Sequence, residues 1–101
     1  MKTTITKRDD ALVVIFEGRL DTAASVQTAD DLKPLSDNTD CDVILDCTQL
    51  EYISSSGLRL FLGVLKSVKA SGHKVFLKGI NDDLKAVFTM TGFINLFELK
   101  L

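Results

Sequence analysis

The chain has 101 residues, 46% hydrophobic and 26% charged, with a formal net charge of −2. These are the proportions of an ordinary globular domain, long enough to bury roughly two thirds of its unfolded surface. A slightly acidic chain with scattered lysines and arginines has no electrostatic footprint for nucleic acid, and no apolar run approaches the roughly 18 residues of a membrane span.

The opening MKTTITKRDD lacks the apolar centre of a signal peptide, so the sequence reads as cytoplasmic, with no direct membrane insertion. Residues 3–7 and 12–17 are predicted strands joined by the polar turn Arg8-Asp9-Asp10. Residues 12–16 are apolar at every position, which points to a central strand covered on both faces, ended by Gly18. Asp21 or Thr22 caps a first helix carrying Val26, Ala29 and Leu32, and Pro34 stops it near Lys33. Val43, Ile44 and Leu45 make a third strand, again apolar throughout. A second helix is predicted from about residue 56 to residue 70, with Gly72 just past its end. Leu58, Phe61, Leu62, Leu65 and Val68 are its core stripe, and Leu60 and Val64 widen the apolar arc toward Ser56 and Ser67. Residues 73–78 form a fourth strand. Asn81 caps a third helix bearing Leu84, Val87 and Phe88, closed by Gly92, and residues 96–101 alternate as a half-exposed edge strand does.

The order β-β-α-β-α-β-α-β describes one α/β domain spanning residues 1–101. Its sheet is mostly parallel with right-handed crossovers, and the initial hairpin adds one antiparallel strand. Ligands and partners of such sheets meet the carboxyl ends of the strands. Two loops converge there, GRLDTA after the second strand and the serine loop after the third.

Ser54, Ser55 and Ser56 stand immediately before Gly57 at a strand-to-helix junction. The first N–H groups of a helix lack intrahelical partners and the helix dipole is positive there, so negative charge is favoured. One serine suffices for a cap; three exceed that need. A first-turn serine is a place to carry a phosphate and have it read. Arg59, three residues beyond Ser56, falls on nearly the same helix face and is placed to pair with a phosphate or to stand in solvent. Asp21 is placed to cap the first helix.

Cys41 and Cys47 flank the third strand. Six residues at about 3.3 Å each keep them roughly 20 Å apart, far beyond the ~7 Å a disulfide tolerates between Cα atoms, so both are expected as free thiols. Two cysteines and one histidine, His73, make a poor zinc site, and neither metal nor cofactor is expected. A serine nucleophile needs a base within reach. His73 begins the strand after the second helix, at the far end of the sheet from the serine loop, and GxSxG is absent. The sequence therefore reads as a binding module and not an enzyme.

With these loops placed, the chain resembles the STAS domain, the fold of bacterial anti-sigma-factor antagonists, over nearly its whole length. EGRLDTAAS, LDCTQLEYISSSGLRLFL and MTGFINLF carry the resemblance. Members typically show Asp, two serines and Gly-Leu at the central motif, and the serine next to the glycine is phosphorylated. The resemblance therefore implies Ser56 as phosphoacceptor and Ser55 as the first motif serine. Ser54 replaces the usual Asp, removing one negative charge and adding a third candidate hydroxyl. It further implies a partner, an anti-sigma factor with a histidine-kinase-like ATPase fold, which binds the unphosphorylated protein and phosphorylates it. A PP2C-type phosphatase resets the switch. Asp21, Thr22, Ser55, Gly57, Arg59, Leu60 and Val64 are the expected partner-binding residues. A second STAS role, cytosolic subunit of a lipid-trafficking ABC transporter, uses the same fold and loops.

Overall fold

The computed structural model describes residues 1–37 and 41–100. Strands β1 (Lys2–Arg8) and β2 (Ala11–Leu20) form an antiparallel hairpin whose turn holds Asp9 at φ +54°, a left-handed conformation that Asp tolerates better than most residues. Helix α1 (Thr22–Asp31), short helix α2 (Lys33–Asp37) and strand β3 (Asp42–Ile53) follow. Then come α3 (Ser55–Ala70), β4 (Val75–Lys78), α4 (Asp82–Met90), a 3-10 turn (Phe93–Leu96) and β5 (Glu98–Lys100). The sheet runs in the order β1-β2-β3-β4-β5, and every pair after the hairpin is parallel. This is the α/β sheet expected from the sequence. Leu101, the last residue of the expected edge strand, lies outside the described residues.

Several boundaries differ, each for a local reason. β3 continues to Ile53 although Thr48, Gln49, Glu51 and Tyr52 break its apolar run, because β2 pairs with it all the way to Leu20. Gly18 does not end β2. It lies within the strand at φ +107°, beside one of two register shifts, supplying the backbone freedom that an irregular pairing needs. In α1 the buried positions are Ser25 and Thr28, whereas Val26 is 71% exposed. The Ser25 hydroxyl donates to the Thr22 carbonyl at 2.7 Å, so a small polar side chain can sit inside without an unmet hydrogen bond. Pro34 does not stop the chain's helical course outright. It is accommodated in the first turn of α2, where no intrahelical N–H bond is lost.

Each parallel crossover moves the same way across the sheet, so right-handed connections put every helix on one face. Val14, Phe16, Leu45 and Leu77 point to that face and pack with Phe61 and Val68 of α3 and Phe88 of α4. Phe16, Phe61, Phe88 and Phe97 form a chain of rings with successive centroid distances of 5.0, 6.0 and 5.9 Å. Val13, Ile15, Ile44 and Phe76 alternate with these residues and lie outside that core. The expectation that β2 is covered on both faces is thus corrected. β2 is apolar on both faces over residues 12–16, but helices cover only one.

Cys41 is half-buried and Cys47 is buried on the helix side, both as free thiols. Burial first, and the nearby Asp46 charge second, push the Cys47 thiol from 9.0 up to about 12. Its thiol donates to the Leu45 carbonyl at 3.6 Å. A maleimide at neutral pH is therefore expected to label Cys41 in the native protein and Cys47 only after unfolding. The folded state holds the Cys47 proton where the unfolded chain releases it. This contribution to stability is complete below pH 9 and is lost as pH rises toward 12. Urea midpoints measured along that range should fall less steeply for Cys47→Ala than for the native sequence.

Candidate functional site

β2 and β3 stay paired to their last residues, Leu20 opposite Ile53, so α1 and α3 begin side by side. The Ser54 N–H donates to the Leu20 carbonyl at 2.8 Å and ties the two junctions together. Each helix at this end has a side-chain cap. The Asp21 carboxylate accepts from the Ala24 N–H at 2.8 Å, and the Ser54 hydroxyl accepts from the Gly57 N–H at 3.2 Å. Asn81 accepts from the Leu84 N–H at 2.8 Å, while its amide donates to the Leu50 carbonyl at 3.4 Å. The carboxyl edge of the sheet thus gathers the N-termini of α1, α3 and α4, whose dipoles favour negative charge there.

The three serines separate by role. Ser54 is buried, 7% exposed, with its hydroxyl engaged as the α3 cap. Asp and Ser are equally good caps, so a serine in place of the family's usual Asp keeps the cap and removes a charge. Ser55 is exposed and Ser56 half-buried, as the first and second residues of α3. Neither hydroxyl has a hydrogen-bond partner among the described residues. α3 begins one residue earlier than the sequence suggests, and that shift makes Ser54 the cap.

Gly57 is buried, and its hydrogen occupies space a side chain cannot. A Cβ there would lie 2.8 Å from Ile53 Cγ1 and 2.8 Å from Leu20 Cγ. The residue contributes closeness of the first turn to the strands, not surface. Asp21 and Thr22 are exposed at the start of α1. Arg59 is exposed, has no ion pair among the described residues, and lines a groove of about 250 Å³ with Ala29, Lys33, Leu60 and Gly63. Leu60 is half-buried at the edge of the core. Val64 is only 6% exposed and corrects the expectation of an outward flank, because α1 and α2 pack along that side of α3.

Sequence reasoning missed one pair beside the site. The Arg19 guanidinium stands 4.6 Å from the centroid of the exposed Tyr52 ring, a cation–π contact across the ends of β2 and β3. Only the shifted register brings these two residues opposite each other. His73 lies at the other end of the sheet, its Nδ1 3.5 Å from the Asp42 carboxylate, so it cannot serve the serines as a base. No cluster of metal-ligating side chains occurs among the described residues.

No helix among the described residues is long and apolar enough to cross a membrane. The family model for the STAS domain matches residues 2–101. The chain is 32% identical over 99 residues to BtrV of Bordetella bronchiseptica, covering 98% of this chain and 85% of that protein. It is 26% identical over 94 residues to the anti-sigma-B factor antagonist of Staphylococcus aureus, covering 93% and 87%. The solved structure of the Bacillus cell fate determinant SpoIIAA in its phosphorylated form has the same fold, with a TM-score of 0.75 at 19% identity over 99% of this chain and 92% of that one. A one-sided, mostly parallel sheet in this strand order is thus a known fold, and this chain belongs to the STAS domain family.

Proposed function

We propose that this protein is a cytoplasmic anti-sigma factor antagonist that switches partners through phosphorylation of Ser56. The unphosphorylated form binds an anti-sigma factor with a histidine-kinase-like ATPase fold. That partner phosphorylates Ser56 and is released, and a PP2C-type phosphatase restores the hydroxyl. The chain itself binds and does not catalyse. The observation that carries this reading is the Ser56 hydroxyl, unbonded among the described residues in the first turn of α3, beside a buried cap and next to the exposed start of α1. The name of the Staphylococcus relative supports the class of partner.

The chemistry needs no change of fold. A phosphate adds about −1.5 to −2 charges at the centre of the proposed contact surface. Like-charge juxtaposition or desolvation there costs several kcal/mol, and each ~1.4 kcal/mol is tenfold in affinity. Asp21, Thr22, Ser55, Arg59 and Leu60 form the contact surface, with Gly57 and Val64 beneath it as support. Asp21→Ala and Leu60→Asp should each weaken binding of the anti-sigma factor about tenfold or more in calorimetry, with circular dichroism unchanged, whereas Val64→Asp should unfold the domain. Normal binding by the first two variants would place the surface elsewhere.

A further inference from the structure

The face of the sheet that carries no helix is ordered by charge, strand by strand. On β3 it presents Asp42, Ile44 and Asp46, and on the adjacent β4 edge it presents Lys74, Phe76 and Lys78. The register pairs Ile44 with Phe76 and Asp46 with Lys78, and the Lys74 N–H donates to the Asp42 carboxylate at 2.9 Å, which places those two residues level. Each strand thus shows an apolar residue between two charges, acidic on β3 and basic on β4. Beside them a groove of about 440 Å³ is lined by Val13, Ile15 and Ile44 together with Asp42, Asp46, Lys78 and the charged turn at 8–10. Both lysines are exposed, and neither makes an ion pair among the described residues.

We infer that this bare face binds a second copy of the same chain. A two-fold axis parallel to the strands and midway between β3 and β4 lays the acidic column of one copy on the basic column of the other. Asp46 meets Lys78 of the second copy, Asp42 meets its Lys74, and Ile44 meets its Phe76. Every contact recurs in reverse, as an isologous interface requires. Sheets packed face to face with nearly aligned strands, about 10 Å apart, are a standard arrangement. The same axis sets β5 of one copy over β2 of the other, so Glu98 faces the groove that Arg8 helps to line. The axis keeps strand direction, so both carboxyl ends, and both Ser56 residues, lie at the same end of the pair with the helix faces outward. The dimer therefore stands independently of the proposed phospho-switch and is compatible with it.

The face is small. Five strands at about 4.8 Å and seven residues at about 3.3 Å give roughly 550 Å² per copy. That is below the roughly 800 Å² per partner of a standard interface, so the dissociation constant is expected in the tens to hundreds of micromolar. The test is sedimentation velocity with ¹H–¹⁵N spectra from about 10 µM to 1 mM in low salt. The expected result is concentration-dependent association, with shifts confined to Val13, Ile44, Asp46, Phe76, Lys78 and their neighbours. It should weaken at least tenfold when salt is raised to screen the charge columns. Asp42 and Asp46 also accept hydrogen bonds from backbone N–H groups, so the variants are made on the basic strand. Lys74→Glu with Lys78→Glu should remain monomeric throughout, and Phe76→Ser should weaken association at least tenfold, each with an unchanged circular dichroism spectrum. A native chain that stays monomeric at 1 mM, shifts confined to the helices, or association indifferent to the lysine reversals overturns the inference.

Discussion

Ser56→Ala is expected to hold the protein permanently in its partner-binding state, and a phosphate on Ser56 to reduce affinity by about 100-fold or more. The alanine removes a hydroxyl that caps nothing, since the α3 cap is Ser54, so the helix should keep its stability and the binding surface its shape. Ser56→Glu should weaken binding less than phosphate does, because a carboxylate carries about one charge against the −1.5 to −2 of a phosphate. Site mapping after incubation with the anti-sigma factor and ATP discriminates among the three serines. Phosphate is not expected on Ser54 while the first turn is closed, because its hydroxyl is buried and accepts the Gly57 N–H. Phosphate on Ser55 would move the switch one residue outward. An unmodified protein that still binds and releases its partner would leave Ser56 without a regulatory role.

How far the sequence reaches can be judged residue by residue. α4 was legible because its end signals are local: Asn81 caps it and Gly92 at φ +76° turns the chain away. The serine turn was legible as a helix start for the same reason. Which serine caps it was not, since moving the helix start by one residue exchanges the roles of Ser54 and Ser55. β3 was underestimated because Thr48, Gln49 and Glu51 hold strand geometry through pairing with β2, and pairing is not written in either segment alone. Val26 is exposed while Ser25 and Thr28 are buried, and hydropathy does not register that the Ser25 hydroxyl is bonded back to its own helix. The uncovered face is the most instructive case. Val13 and Ile44 look like the inner residues of a doubly covered strand, and the sequential strand order together with crossover handedness leaves them on the face that no helix covers.

Two glycines of α3 should respond in opposite directions to the same substitution. Replacing glycine by alanine inside a helix ordinarily stabilises by about 1 kcal/mol. At Gly63 an added Cβ meets nothing within 4 Å, so Gly63→Ala should show that gain, with a higher urea midpoint. At Gly57 the added carbon would stand 2.8 Å from Leu20 Cγ and from Ile53 Cγ1. Leu20 is fully buried and the contact is at its branch point, so rotation of a terminal methyl cannot relieve it. Overpacking of this kind costs about 1–3 kcal/mol, which set against the ~1 kcal/mol helix-propensity gain leaves Gly57→Ala destabilised by up to about 2 kcal/mol. For a domain of this size that is a fall of up to roughly 8–16 °C in Tm. The strain acts on function as well, because relief requires the first turn to lift away from β2, carrying Ser56 with it. Partner affinity and phosphorylation should therefore both fall in Gly57→Ala at a temperature where the variant remains folded, while Gly63→Ala behaves as the native protein in both assays. If Gly57→Ala matched Gly63→Ala in midpoint and in binding, Leu20 and Ile53 would have room to repack, and the position of Ser56 would be set by the Ser54 cap alone.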